Sequence, residues 1–402
     1  MTRTIIDLHV LQSVPPSNLN RDDTGTPKSA VYGGVRRARV SSQAWKRATR
    51  RSFHDLLDPS ELGVRTKRVA ELLADRIHEL DASIDRAELW SLAAETVQSA
   101  TNSKIEVPKR RGATPKEKDE TAAAPESKYL MFLSARQLDG LAELAIEGRD
   151  DIKTFFKNKD NKARAKEIAN TRHSVDIALF GRMVADGADI NVDAAAQVAH
   201  ALSVHKVENE SDYYTAVDDH KNREDDDLGA GMIGTVEFNS ATLYRYAALD
   251  VDQLSRNLGK GLREEEAVTE PVRRAVEAFV HGFITSMPTG KSNTFGNHTL
   301  PDAVVVKIRS SRPISFVGAF EEPCKATGGG YLHEAAARLA RYVPEIEQAY
   351  GVVDEARTWV LRVGEHTEPL SELGTRISLP ELVSEVGEEV VHRQQARQVA
   401  QP

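Results

Sequence analysis

Between Lys28 and Arg51 the chain carries eight basic side chains (Lys28, Arg36, Arg37, Arg39, Lys46, Arg47, Arg50 and Arg51) and no acidic one. The whole protein has a formal net charge of -8. Gathering positive charge into one segment of an acidic chain costs local repulsion, and a polyanion bound there is the usual compensation. A solvated basic face is the plain alternative. The order of residues favours the polyanion. Gly33-Gly34 leaves room for a backbone to approach a ligand closely. Ser41 or Ser42 is suited to cap a helix that begins near Gln43. On that helix Trp45, Thr49, Phe53 and Leu56 recur at spacings near four and form a buried stripe, so Trp45 and Phe53 are core residues. Gln43, Lys46 and Arg50 fall on another face, with Arg47 and Arg51 beside them. The helix N-terminus adds free N–H groups and a partial positive charge. The product is a polar, positive ledge on an apolar anchor. It suits phosphates and reads no base.

Other constellations are weaker. Gly290-Lys291-Ser292 has the ending of a phosphate-binding loop, but that pattern needs a glycine at 285, where Thr285 stands, and a preceding strand instead of a helix. His200 and His205 are five apart, off the spacing that sets two metal ligands on one helix face, and they read as core or surface histidines. Asp22-Asp23 and Asp225 to Asp227 could hold a metal and cleave RNA. Loop hydrogen bonding for Asp22 and solvation for the later run are the plainer readings. Cys324 is the only cysteine, which excludes an intrachain disulfide and a cysteine-clustered zinc site and fits a reducing cytosol. No metal, cofactor or catalytic residue is assigned.

The elements that must position the ledge follow from periodicity. At 402 residues, 28% charged and 40% hydrophobic, the chain reads as soluble and globular, with two or three structural units. Ile5 to Val14 reads as a strand; Asp7 and His9 break its apolar run, so it is no signal peptide. No apolar run reaches about 18 residues, so no membrane span is expected. Residues 60–107 read as helices, notably 68–80 and 85–99. Residues 108–128, charged and rich in Pro and Ala, read as a disordered surface loop. Helices resume over 130–147. A lysine-rich stretch follows, for which a solvated face is the plain reading. Thr235 to Asp250 has strand composition with a possible turn at Asn239-Ser240. Thr269 and Pro271 open a helix that runs to about 287, and 302–309 is another strand. Strands separated by helices give an α+β protein with a mostly antiparallel sheet.

Several pieces together resemble the CasC family, the backbone subunit of the type I-E CRISPR Cascade complex. They are LNRDD at 19–23, GGVRRARVSSQ at 33–43, VDIALFGRM at 175–183, AHALSVH at 199–205, TAVDD at 215–219 and GTVEFNSATLYRYA at 234–247. The resemblance implies a palm with a modified RRM, ferredoxin-like fold, a helical fingers insertion and a β-hairpin thumb. The palm would take residues 1–58, 174–204 and 236–402 with the C-terminal segment, the fingers 59–173, and the thumb 205–235. It implies a non-catalytic scaffold that oligomerises head to tail along guide RNA and presents it to target DNA. The thumb would displace one base at intervals.

Carried over position by position, Arg21, Lys28, Ser41, Gln43, Lys46 and Arg50 hold the guide backbone. Met183 lies beside the displaced base, and Arg182 is assigned with it. Tyr213 and Tyr214 contact bases, and Met232 and Ile233 form the thumb wedge. Lys153, Lys157, Lys159 and Lys162 face target DNA. Implied partners are the guide RNA, the target DNA strand, copies of the chain and other Cascade subunits: the large subunit, the small subunits, the cap of the guide 5′ end and the guide-processing endoribonuclease. Two departures from the family pattern stand out. Residues 108–128 look inserted, and the stretch from Asp219 to Gly234 is longer and more acidic than expected. A metal-dependent endoribonuclease of a related backbone type and a monomeric single-strand RNA-binding protein remain as alternatives.

Overall fold

The structure is a computed structural model that describes residues 3–108, 124–184, 190–216, 232–262, 267–326, 328, 330–353 and 356–400. In chain order the strands are β1 (Ile5–Ser17), β2 (Ser29–Tyr32), β3 (Val35–Val40), β4 (Gly63–Thr66), β5 (Ile105–Glu106), β6 (Glu126–Ser127) and β7 (Met131–Ser134). Then come β8 (Ala196–Val198), β9 (Ala201–Ser203), β10 (Glu210–Ala216), β11 (Met232–Asp250), β12 (Ala303–Arg309), β13 (Arg357–Arg362) and β14 (Thr375–Arg376). The chain divides into two compact units, and it passes between them after Phe53 and Ala275, inside helices, and after Ala196 and Leu249, inside strands.

The first unit comprises Met1–Phe53, Gln197–Leu249 and Val276–Pro402. It holds a mixed, ten-stranded sheet with the path β14-β13-β12-β1-β11-β9-β3-β2, and β8 and β10 also pair with β11. β12 runs antiparallel to β1 and β13, and β9 antiparallel to β11 and β3, while β13 and β14 are parallel. β1 is buried at every position from Ile5 to Gln12 and β12 throughout, so these strands are covered on both faces. β11 continues unbroken through Asn239-Ser240, where a turn was possible.

Gly33 and Gly34, at φ +59° and +76°, make the two-residue turn between β2 and β3. A Cβ on Gly33 would lie 1.6 Å from the Glu321 carbonyl oxygen. The glycine pair therefore lets the chain's own backbone approach closely, which corrects the expectation of a ligand there. Gly33→Ala should cost about 3 kcal/mol of stability, read as a lowered denaturant midpoint, because strained backbone and a clash with main chain combine.

α1 (Ser42–Leu56) follows β3. Its Trp45, Thr49 and Phe53 are buried, as their spacing predicts. Trp45 joins Val14, Ala38, Val40, Ala201 and Leu243 in one apolar cluster, so the helix is seated on the sheet.

The second unit comprises His54–Ala196 and Asp250–Ala275. It contains α2 (Val69–Leu80), α3 (Arg86–Thr101), α4 (Ala135–Glu147), α5 (Ile152–Phe155) and α6 (Lys159–Ala169) around its own apolar core, together with α7 (Val175–Phe180) and α8 (Val251–Gly259). Residues 131–134, expected as helix, are the strand β7. This short run pairs with β4, and its last residue, Ser134, forms a capping box with Gln137. The inserted segment ends earlier than expected: β5 and β6 pair, and Ser127 is buried against the Lys67 carbonyl. Residues 109–123 lie outside the described part. Residues 174–196, expected in the palm, belong to this unit. The Asp176 carboxylate accepts the Gly63 N–H at 3.0 Å, and Asn257 on α8 donates to the Ala178 and Asp193 carbonyls, both at 2.9 Å.

The remaining helices are α9 (Thr269–Thr285), α10 (Ser292–Phe295), α11 (Gly330–Ala349) and α12 (Leu379–Ala400). In the first unit α9 meets α1 at Gly282, where a Cβ would stand 2.5 Å from Ser52 Oγ.

Candidate nucleic-acid interface

α1 begins where Ser41 caps it. Ser41 is buried, its N–H donates to Asn20 Oδ1 at 2.9 Å, and its Oγ accepts the Ala44 N–H at 3.4 Å. Ser41 thus ties the loop of residues 18–28 to the helix. Lys28 N–H also donates to the Asn20 carbonyl and Arg39 N–H to the Lys28 carbonyl, both at 2.9 Å. Asn18 secures the loop to β11 through the Glu237 carbonyl at 2.8 Å. The turn itself is organised by Asp22, whose carboxylate accepts from Thr24 Oγ1 and from the Thr24 and Thr26 N–H groups. Those bonds hold it below the usual carboxylate range, the Thr24 hydroxyl foremost. Asp22 therefore shapes the loop.

With the apolar stripe buried, the other face of α1 presents Gln43, Arg47 and Arg51 exposed and Lys46 and Arg50 half-buried. Burial alone lowers the Lys46 ammonium from its ordinary pKa. Arg21 is exposed in the neighbouring loop and Lys28 is half-buried. The structure brings these expected residues together on one unit: a helix N-terminus, a loop and one face of α1, all rich in donors. Arg39 adds a cation that its sequence position left unassigned. Its Nη1 lies 3.2 Å from His200 Nδ1, and burial, Arg39 and Lys28 lower that histidine's pKa.

Arg37 belongs elsewhere. Fully buried, it donates to the carbonyls of Tyr32, Ser203, Phe320 and Glu321 at 2.8–3.1 Å. One of the eight cations is thus a structural pin. His205 is also internal, as expected by default. It stacks on Tyr331 with centroids 3.6 Å apart, its Nε2 accepts the Thr242 N–H, and burial lowers its pKa. The Gly290-Lys291-Ser292 stretch gives no phosphate loop. A Cβ on Gly290 would meet the Leu19 carbonyl at 2.2 Å, and only the four-residue α10 follows.

β10 and β11 extend as a hairpin paired from Glu210↔Phe238 to Ala216↔Met232. Tyr213 and Tyr214 stand on it with 62% and 41% of their surface exposed. The Tyr214 ring lies across Gly234, where any side chain would collide with it. Met232 and Ile233 pair through their backbones with Ala216 and Thr215. Residues 217–231, with Asp225 to Asp227 among them, lie outside the described residues.

In the second unit Met183 is 86% exposed, whereas its neighbour Arg182 is buried. The Arg182 guanidinium donates to the carbonyls of Ile190, Phe132 and Ala169 and to Gln137 Oε1 at 2.7–3.3 Å. Burial pushes its pKa down to about 10. The structure thus corrects the expectation of an RNA contact at Arg182: the side chain ties the interior of its unit and presents nothing to a ligand. Lys153, Lys157, Lys159 and Lys162 are exposed on α5, α6 and the link between them. Lys153 Nζ stands 3.9 Å from Glu95, and Asn158 caps α6 through the Asp160 N–H.

The first unit thus has a large mixed sheet on which a basic helix is seated, and the second unit is mostly helical. A chain of a structure described as a CRISPR RNA-guided surveillance complex, pre-nicking, superposes with a TM-score of 0.80 at 34% identity, covering 96% of this chain and 100% of that one. A chain of a second CRISPR RNA-guided surveillance complex gives a TM-score of 0.69 at 30% identity, covering 96% and 99%. No curated protein sequence matches. The model of the CT1975-like protein family matches residues 6–385, and the chain belongs to that family. The resemblance to CRISPR backbone subunits is borne out, and the protein's role is CRISPR-associated.

Proposed function

We propose that the protein is a non-catalytic, cytosolic scaffold that polymerises head to tail on CRISPR guide RNA and holds it open for pairing with target DNA. The ledge carries this reading. Gln43, Lys46, Arg47, Arg50 and Arg51 share one face of a helix fixed by buried Trp45 and Phe53, next to Arg21 and Lys28. Such a surface neutralises phosphates and leaves base edges free, so sequence reading falls to base pairing. The order β12-β1-β11-β9, with α1 and α9 in the intervening connections, supports an RRM-like palm. The exposed tyrosines of the β10–β11 hairpin support a thumb that meets bases. The exposed lysines of α5 and α6 support a face for the target DNA strand. The engaged carboxylate of Asp22 favours the scaffold over a nuclease that uses this loop. The other implied partners are the large, small, 5′-end cap and guide-processing subunits of the complex.

Sedimentation with and without a long guide RNA tests the proposal. The expected result is RNA-dependent assembly into large particles, with the RNA intact in magnesium. Tyr213→Ala with Tyr214→Ala, or Met232→Gly with Ile233→Gly, should weaken assembly on long RNA while a short oligonucleotide still binds. One-to-one complexes on long RNA would sink the scaffold, and RNA cleavage would replace it with the nuclease.

A further inference from the structure

Arg245 on β11 is buried, with 1% of its surface exposed. Its guanidinium lies 3.8 Å from the centroid of the Trp45 ring and 4.7 Å from that of Phe283. Nη1 donates to Gln12 Oε1 at 2.7 Å, Nη2 donates to the Phe283 carbonyl, and Nε is unpartnered. Among the described residues no carboxylate neutralises it, and burial pushes its pKa down to about 9, which leaves it charged at neutral pH. A buried cation without an anion is costly, and two aromatic faces offset only part of that cost. If the position served packing alone, an apolar side chain of similar volume would be as stable or more so.

The geometry places a use for the charge directly above it. Trp45 is the anchor of α1 and is followed by Lys46. An α-helix with its side chains is about 10–12 Å across, so a phosphate on the ledge lies about that far from the guanidinium. The protein between them is a poorer screen than water. On the order of 10 Å apart, at an effective dielectric near 20, opposite unit charges alter binding by about tenfold.

We infer that Arg245 is a positioning residue for the RNA backbone: it grips Trp45, and with it the ledge helix, and holds a buried positive charge beneath the phosphates. The inference rests on the reading of the ledge as an RNA site and adds a source of affinity that never touches RNA. The test compares the full-length wild type, Arg245→Met, Arg245→Lys and Gln12→Leu for binding of a fluorescent oligouridine and for thermal unfolding. Arg245→Lys and Gln12→Leu should unfold at lower temperature, since each keeps a buried charge and loses bonds of the guanidinium fork, whereas Arg245→Met should unfold at about the wild-type temperature or above it. Arg245→Met should bind about tenfold more weakly. Arg245→Lys, compared with the others at mildly acidic pH because a buried lysine loses its proton more readily than an arginine, should recover most of the affinity while staying less stable, and Gln12→Leu should keep wild-type affinity. Lysine binding as weakly as methionine at mildly acidic pH would overturn the inference, as would wild-type binding by Arg245→Met. Should Arg245→Met not fold, the lysine and Gln12→Leu proteins still decide, because both keep the charge and lose bonds. Wild-type protein that ignores oligouridine overturns the ledge reading itself, and the inference with it.

Discussion

Lys46→Ala combined with Arg50→Ala should weaken guide RNA binding about a hundredfold, by a similar factor for every guide sequence. Each side chain is expected to make a charge-assisted contact of about 1.5 kcal/mol, and two such losses give roughly that ratio. The slope of log K against log salt should become shallower by about 1 to 2, since each phosphate neutralised on a single strand releases about 0.7 of a counterion. The fold should survive. Both residues lie off the buried face of α1, and alanine favours helix at least as well as lysine or arginine. Filter binding across a salt series, with a circular-dichroism melt as control, measures all three effects. An unchanged slope in a folded variant would show that these side chains do not meet phosphate.

The second large effect falls on stability. Arg182→Ala should destabilise the second unit by about 3–5 kcal/mol, the range for breaking one side of a buried charged network. The substitution removes donors from the carbonyls of Phe132, Ala169 and Ile190 and from Gln137 Oε1, leaving buried acceptors from four chain positions without that partner. Limited proteolysis should then cut first within residues 54–196. The ledge of the first unit should keep its affinity for short RNA. Normal stability together with lost RNA affinity would return Arg182 to the role the sequence suggested.

The contrast between Arg182 and Met183 shows where local reading stops. The two adjacent residues entered as one expectation, and the structure turns one inward and leaves the other 86% exposed. Neither composition nor periodicity distinguishes them, because the carbonyls that Arg182 satisfies come from positions 132, 169 and 190. Likewise Gly33-Gly34 announces a close approach, but only the fold shows that the approaching group is the Glu321 carbonyl. Arg39 and Arg245 were absent from the expected site for the same reason: Arg39 meets His200, and Arg245 meets Trp45 and Phe283, through contacts far apart in sequence.

What the sequence determined by itself is what neighbouring residues settle among themselves. The spacing of Trp45, Thr49 and Phe53 defines the buried face of α1 and thereby places Gln43, Lys46 and Arg50 on another. The serine before it caps the helix, the apolar runs at 5–14 and 302–309 become paired strands, and Thr269 with Pro271 opens α9. Those features depend on backbone geometry within a few turns, which side-chain type controls. The tertiary structure decided which charges serve the surface and which serve the interior. Arg37 and Arg39 lie on the same side of β3 by strand alternation, yet Arg37 is sealed by residues 320 and 321 while Arg39 remains half-exposed. Asp7, which in sequence only interrupts an apolar run, is buried in an ion pair with Arg309, whose Nη2 also reaches Glu347 at 2.6 Å. A charge is placed by what covers it and what pairs with it, and both arrive from parts of the chain that no local pattern records.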